Sequence, residues 1–226
     1  MLSILSTDEW RSTHPGAVIT LLELSGVENC STSSLLIAKK QEIGSQLREQ
    51  YQGFSRADFL ALPVMAAYDR YYKRFNKTYH VLLQLESIVL HGKDLPNVSP
   101  LVDCCFAAEL ETLVLTAGHD AARLKGPVTI DVSHEGDLIT QMNGAVKPMR
   151  PGDMVMRDAE GVSCSIIYGQ DNRSPISAAT TEVLYVAYAP AGVPMEIVEG
   201  QLRKIEENVR LFSPHALVEQ HNLLMA

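Results

Sequence analysis

Two periods divide the apolar positions of this chain, and the change falls near Gly126. Ahead of it the spacing is mostly that of helices, and behind it that of strands. Ala17–Leu24 is the early exception, a β-branched apolar run closed by Ser25-Gly26 that predicts a strand. Ser31 to Ser34 then offers N-caps for a helix running to about Tyr51, with Gly53 as its stop. Its polar residues Lys39, Lys40, Glu42, Arg48 and Glu49 are expected on a solvated face. Ser55-Arg-Ala-Asp58 reads as a capping box that opens a second helix running through Tyr72. A third helix is expected from Tyr79 to His91, ended by Gly92.

Ser99 and Pro100 mark the next start, since a proline in the first turn loses an N–H that would be unpaired anyway. Leu101 to Ala108, then Leu110 and Leu113 to Leu115, are apolar nearly all round, which predicts a buried helix. Asp103 is the one acid in its first two turns, one turn along the face from Ser99. A carboxylate buried there needs partners such as backbone N–H groups, so its expected role is structural.

From Gly126 the pattern alternates. Val128–Ser133, Leu138–Met142, Met154–Arg157, Val162–Tyr168 and Val183–Tyr188 predict strands, with Asn143-Gly144 and Asp158–Gly161 as turns. A final amphipathic helix is expected from Met195 to about Val209. Helices first and strands second predict an α+β fold with antiparallel pairing dominant. The expected organisation is an N-terminal strand and helix over 1–54, a main domain over 55–212, and a loosely packed tail over 213–226.

A composition of 46 % apolar and 20 % charged residues is that of a chain with a sizeable core. No run approaches the roughly 18–20 apolar residues of a membrane span. The first nine residues lack a signal peptide's basic leader and apolar stretch, so a cytoplasmic protein is expected. Cys30, Cys104, Cys105 and Cys164 have no Cys-x-x-Cys spacing and are expected as buried thiols. The scattered histidines form no zinc motif, and neither metal nor cofactor is expected. A net charge of −8 argues against bulk phosphate neutralisation, so any nucleic-acid contact must be a local patch.

Five ordered pieces carry a resemblance. They are Lys93-Asp-Leu-Pro-Asn-Val-Ser-Pro-Leu-Val-Asp103, Gly118-His-Asp-Ala-Ala-Arg-Leu-Lys-Gly126, Pro148-Met-Arg-Pro-Gly-Asp-Met-Val-Met-Arg-Asp158, Gly161-Val-Ser-Cys164 with Asp171 and Arg173, and Ile176-Ser-Ala-Ala-Thr-Thr181. Together they resemble the editing (tRNA-binding) module of the phenylalanyl-tRNA synthetase β subunit, over roughly Ser55 to Tyr188. The resemblance implies a mixed, mainly antiparallel sheet around a buried helix. It also implies a free-standing trans-editing hydrolase that cleaves the ester of a mischarged aminoacyl-tRNA with water as nucleophile. A non-catalytic module for a tRNA end or an amino-acid moiety is the alternative.

The departures bear on the substrate. Phe106 stands where the family has an asparagine, Ala117 where it has a histidine, and Val186 where it has a glutamate. Such a pocket is expected to prefer an amino acid smaller or more apolar than tyrosine. Ser99, Asp103, Gln170, Asp171, Arg173 and Thr181 complete the candidate substrate-binding set.

For chemistry, His119 and Asp120 place an imidazole beside a carboxylate and are the candidate catalytic pair. The plainer reading puts His119 on the surface with Asp120 capping a turn. Gly161-Val-Ser-Cys-Ser165 does not make a nucleophile elbow, because it lacks the closing glycine and continues as a strand. Arg70, Lys73, Arg74 and Lys77 interleave with aromatic residues and form the candidate RNA patch. As a plain helix, the same run buries Tyr68, Tyr72 and Phe75 and exposes the cations.

Overall fold

The computed structural model describes residues 1–29 and 32–226, so Cys30 and Ser31, with the thiol and cap readings made for them, lie outside the described residues. An antiparallel sheet in the order β11-β2-β10-β3 is formed by β2 (Val18–Ser25), β3 (Thr116–Asp120), β10 (Glu182–Ala189) and β11 (Leu217–Met225). A second sheet, in the order β1-β4-β7-β8-β9, comprises β1 (Ile4–Ser6), β4 (Val128–Val132), β7 (Met154–Asp158), β8 (Gly161–Ser165) and β9 (Gly169–Gln170). Only its β1–β4 pairing is parallel. β5 (Leu138–Thr140) and β6 (Val146–Pro148) make a separate hairpin. The class is the expected α+β, mixed and mainly antiparallel.

The helices are α1 (Asp8–Thr13), α2 (Ser34–Gln50), α3 (Arg56–Ala61), α4 (Pro63–Lys73), α5 (His80–Val89), α6 (Pro100–Thr112) and α7 (Met195–Arg210). α6 is buried on nearly every side, as its apolar circumference predicts, and packs on α2, α5, α7 and β3. The strand β10 is covered on both faces. On one face Tyr185 Oη donates to Leu101 O of α6 at 2.7 Å, and on the other Tyr188 turns toward Cys164 of β8. Stacking Tyr68 on Tyr79, with ring centroids 4.1 Å apart, ties α4 to the chain before α5. Tyr68 Oη donates to Tyr188 O at 2.6 Å and accepts from Leu115 N at 2.9 Å, which locks both to the sheet.

Several elements differ from expectation. The helix predicted from Ser55 through Tyr72 is two helices, because Leu62 takes an extended backbone before Pro63. The apolar run Leu113–Leu115 leaves the helix, with Leu113 left-handed at φ 64°. Side chains of α6 support that turn, since Thr112 Oγ1 accepts from Val114 N and Glu109 Oε1 from Thr116 N. The chain then enters strand β3, which the pattern left unassigned, and Asp120 stands at the N-cap of the short 3-10 turn Ala121–Arg123 that follows. The segment expected as a loose tail carries β11, paired along β2. Met1–Thr13, left unassigned by pattern, holds β1 and α1, fixed by the buried Trp10 and by the Thr7 hydroxyl donating to Asp131 at 2.8 Å.

Candidate functional site

An apolar cleft of about 330 Å³ opens between the outer face of α6, the edge strand β3 and the β8–β9 segment. Val102 and Phe106, one turn apart on α6, form one wall and are only partly buried. Ala117 and Gly118 of β3 form the floor, reachable because β3 is the outer strand of its sheet. A Cβ on Gly118 would lie 2.9 Å from Ile176 Cδ1 and 3.1 Å from the Tyr185 ring, so any side chain there would crowd both and narrow the floor. Ile176, Met142 and Ile166 close the remaining apolar sides.

Few polar groups face this space. Ser165, Thr116 and Gln170 line it, and Tyr188 contributes a buried hydroxyl beside the Cys164 thiol. His80 stands at the mouth, its surface open to solvent, while packing about the ring lowers its pKa below the usual value. The two thiols on the wall are inert, because burial pushes Cys164 up to about 12 and Cys105 well above its ordinary value.

Of the residues singled out from sequence, Phe106, Ala117 and Gln170 meet in the cleft. Val186 pairs with Ala117 across β10 and β3 and is fully buried. His119 and Asp171 come together elsewhere, in a buried chain. The Ser174 hydroxyl lies 2.8 Å from His119 Nδ1 and 3.2 Å from Asp171 Oδ1, and Gln170 Nε2 lies 3.1 Å from the same imidazole nitrogen. The plainer reading of His119 as a surface residue is corrected, because Ser174 and Gln170 fold over it and leave it 0 % exposed. Burial lowers its pKa to about 3, so the ring is neutral. Asp120 does not touch it, since successive side chains of a strand point to opposite faces. That carboxylate instead accepts from Thr180 Oγ1 at 2.8 Å and lies 3.8 Å from Arg123. Thr181 is exposed, one residue past the threonine that makes this contact.

Arg173 is held by carboxylates, with Asp171 at 2.5 Å, Asp158 at 2.9 Å and Glu160 at 3.1 Å. Ser99 and Asp103 lie at the start of α6. Asp103 accepts from Val98 N at 2.8 Å and from Lys40 Nζ at 2.6 Å. The solvated face expected for Lys40 is therefore corrected. Its ammonium is buried, and it also donates to Pro96 O at 2.7 Å and Asn97 Oδ1 at 2.5 Å. Along α4 and the turn after it the aromatic stripe is buried and Arg70, Lys73, Arg74 and Lys77 are exposed. Lys73 pairs with Asp69 at 2.6 Å. Sequence reasoning passed over His80, Val102, Cys105, Ser165, Ile176 and Tyr188. The signal that could have found Val102 is its one-turn spacing from Phe106.

Among the described residues, no group of three His, Cys, Asp or Glu side chains is placed to hold a metal ion, and no helix is long and apolar enough to cross a membrane. The model of a family described as the B3/4 domain matches residues 65–205. No curated protein matches the chain. Among solved structures it is similar to an N-terminal fragment of the phenylalanyl-tRNA synthetase beta-subunit from Pyrococcus horikoshii, at 8 % identity and a TM-score of 0.46. The likeness covers 97 % of this chain and 54 % of that one, so the chain spans about half the length of the fragment.

Proposed function

We propose, for a chain that belongs to the B3/4 domain family found in the phenylalanyl-tRNA synthetase β subunit, that the apolar cleft receives the aminoacyl group at the 3′ end of a charged tRNA. One observation carries this reading. Phe106 and Ala117, where the resemblance put two polar pocket groups, meet in one cleft together with Gln170. The polar pocket becomes an apolar one, which suits an aliphatic side chain better than tyrosine. A tyrosyl hydroxyl would enter without the hydrogen bonds it has in water, a loss of about 1–3 kcal/mol. The Gln170 amide oxygen remains to orient the amino group, while the Ser165 hydroxyl is taken up by Asp153 and by the Ile167 and Tyr168 N–H groups. In this reading the protein acts in trans in translation quality control, and so in the cytoplasm.

A second reading adds hydrolysis, and His80 is the group that favours it. Its imidazole is neutral and open to solvent at the cleft mouth, able to take a proton from water attacking the ester carbonyl. The buried His119 and the saturated Asp103 offer no such access.

The experiment separates the two. Affinities are measured for tRNAs carrying amide-linked valine, isoleucine, alanine or tyrosine, alongside deacylation of the corresponding esters. Tighter binding of the aliphatic forms is the expected result, and no binding of any form would sink the proposal. Deacylation lost in His80→Ala, with binding retained, would establish the second reading.

A further inference from the structure

A second cleft, of about 260 Å³, opens where the turn after α1 meets α4 and the loop after β10. Arg70, Tyr71 and Arg74 line one side, and His14, Pro15 and Ala191 the other. Among the described residues no carboxylate lines it, and neither guanidinium has a hydrogen-bond or ion-pair partner there. In a chain with net charge −8, carboxylates to pair them are abundant. Lys73, on the same helix, has one in Asp69.

The two arginines are placed rather than loose. Arg74 Cζ lies 5.4 Å from the Tyr71 ring centroid and 5.7 Å from that of Phe75, which rests its guanidinium against the two rings. Arg70 Nη2 lies 2.7 Å from where a Cβ on Gly192 would be, so the glycine keeps open the space that guanidinium fills. Across from them His14 is buried, and its Nε2 has no hydrogen-bond partner. A buried polar atom without a partner is uncommon in native folds and calls for an explanation. Burial, helped by Arg74, lowers the His14 pKa to about 4, so the ring is neutral and carries one N–H.

We propose that this cleft is a phosphate site, in which one phosphate group sits between the Arg70 and Arg74 forks with His14 as a third contact. Guanidinium forks match phosphate oxygens two at a time, which a lysine point charge does not. The site divides the basic run of α4. Arg70 and Arg74 bind, while Lys73 and Lys77 lie outside the cleft. The proposal stands apart from the role of the apolar cleft, with which it shares no lining residue.

The test follows the His14 ring by NMR while the whole chain is titrated with inorganic phosphate, adenosine monophosphate or deacylated tRNA. The expected result is a saturable shift of the His14 signals, with R70Q weakening binding about tenfold or more and K73Q leaving it within about twofold. Arg74 also packs on rings, so R74K is used there, keeping stem and charge and losing the fork. It should weaken binding with an unchanged melting temperature. Loss of tRNA affinity in R70Q, with inorganic phosphate competing, identifies the source as RNA. Unchanged tRNA affinity with lost adenosine monophosphate binding identifies it as a free nucleotide, and either upholds the site. No shift with any of the three probes, or equal weakening by K73Q, overturns it. R70Q should leave the ranking of valyl, isoleucyl, alanyl and tyrosyl forms in the aminoacyl-binding panel unchanged even where it lowers every affinity, so the two proposals fail separately.

Discussion

The two ends of α6 each hold a buried carboxylate, and they hold it in opposite ways. Asp103, in the first turn, is ion-paired. It has a buried ammonium from Lys40, a backbone N–H from Val98 and the positive end of the helix beside it. Glu109, in the last turn, has among the described residues a single backbone donor, Thr116 N at 2.7 Å, and no cation. Burial pushes it up to about 8, so it is mostly protonated at neutral pH. The difference is one of position. At a helix N-terminus the dipole and the loop donors favour a charge, whereas toward the C-terminus the dipole opposes one, and a proton is the cheaper answer.

The largest effect should come from breaking the charged end. Asp103→Ala leaves the Lys40 ammonium buried with only neutral acceptors and strands Val98 N–H, which should cost about 3–5 kcal/mol. Urea unfolding at pH 7 measures this. The double variant Asp103→Ala with Lys40→Met should recover part of the loss, because the unpaired charge is gone. A cost below about 1 kcal/mol would mean that the two ends do not differ.

The neutral end should show itself through pH. The folded pKa of Glu109 lies above its ordinary 4.5, so its stabilisation is complete below about 4.5 and is lost as pH rises through about 8. The loss should be on the order of 5 kcal/mol by pH 10. Glu109→Gln should flatten that part of the stability curve and cost little at pH 7. An unchanged curve would show that the proton is not there.

Asp153, outside α6, is intermediate. It has hydroxyl donors in Tyr71 and Ser165 but no cation, and burial raises it to about 6. Its share should fade between about pH 4 and 6, amounting to about 2–3 kcal/mol, and Asp153→Asn should remove that slope. If the slope persists in the variant, another group owns it.

Both ends of α6 show how far sequence goes. Pro100 and Ser99 announced the helix, its apolar circumference announced its burial, and a lone aspartate in that run announced a need for partners. That the partner would be Lys40 was not legible. The two residues are 63 apart in the chain, and a lysine in a mostly polar helix looks like any solvated one. The strand β3 was hidden because Thr116–Asp120 reads as small and polar residues, and its pairing with β10 overrides that propensity. β11 was hidden because its exposed and half-buried residues show no clean apolar face. The cleft was legible only at positions the resemblance named. Ile176, Tyr188 and His80 reach it through pairing and packing of elements far apart in sequence.

The smallest effect on stability should fall between the two ends of α6, at Phe106. It faces the cleft and is only half-buried, so Phe106→Leu removes little packed area and should cost under about 1 kcal/mol. Its consequence should be selectivity instead. Phe106→Leu makes the wall smaller yet keeps it apolar, so it should admit larger aliphatic groups while still disfavouring a hydroxyl. Phe106→Asn restores an amide that can pair with one, and should raise the affinity for tyrosyl relative to valyl tRNA about tenfold. The same amide-linked tRNAs measure both variants. If leucine raises tyrosyl affinity as much as asparagine does, volume alone sets the preference. If neither variant moves it, the wall does not touch the amino acid. Either result would separate the parts of α6 further, with its polar ends carrying the fold and its apolar middle carrying, or failing to carry, recognition.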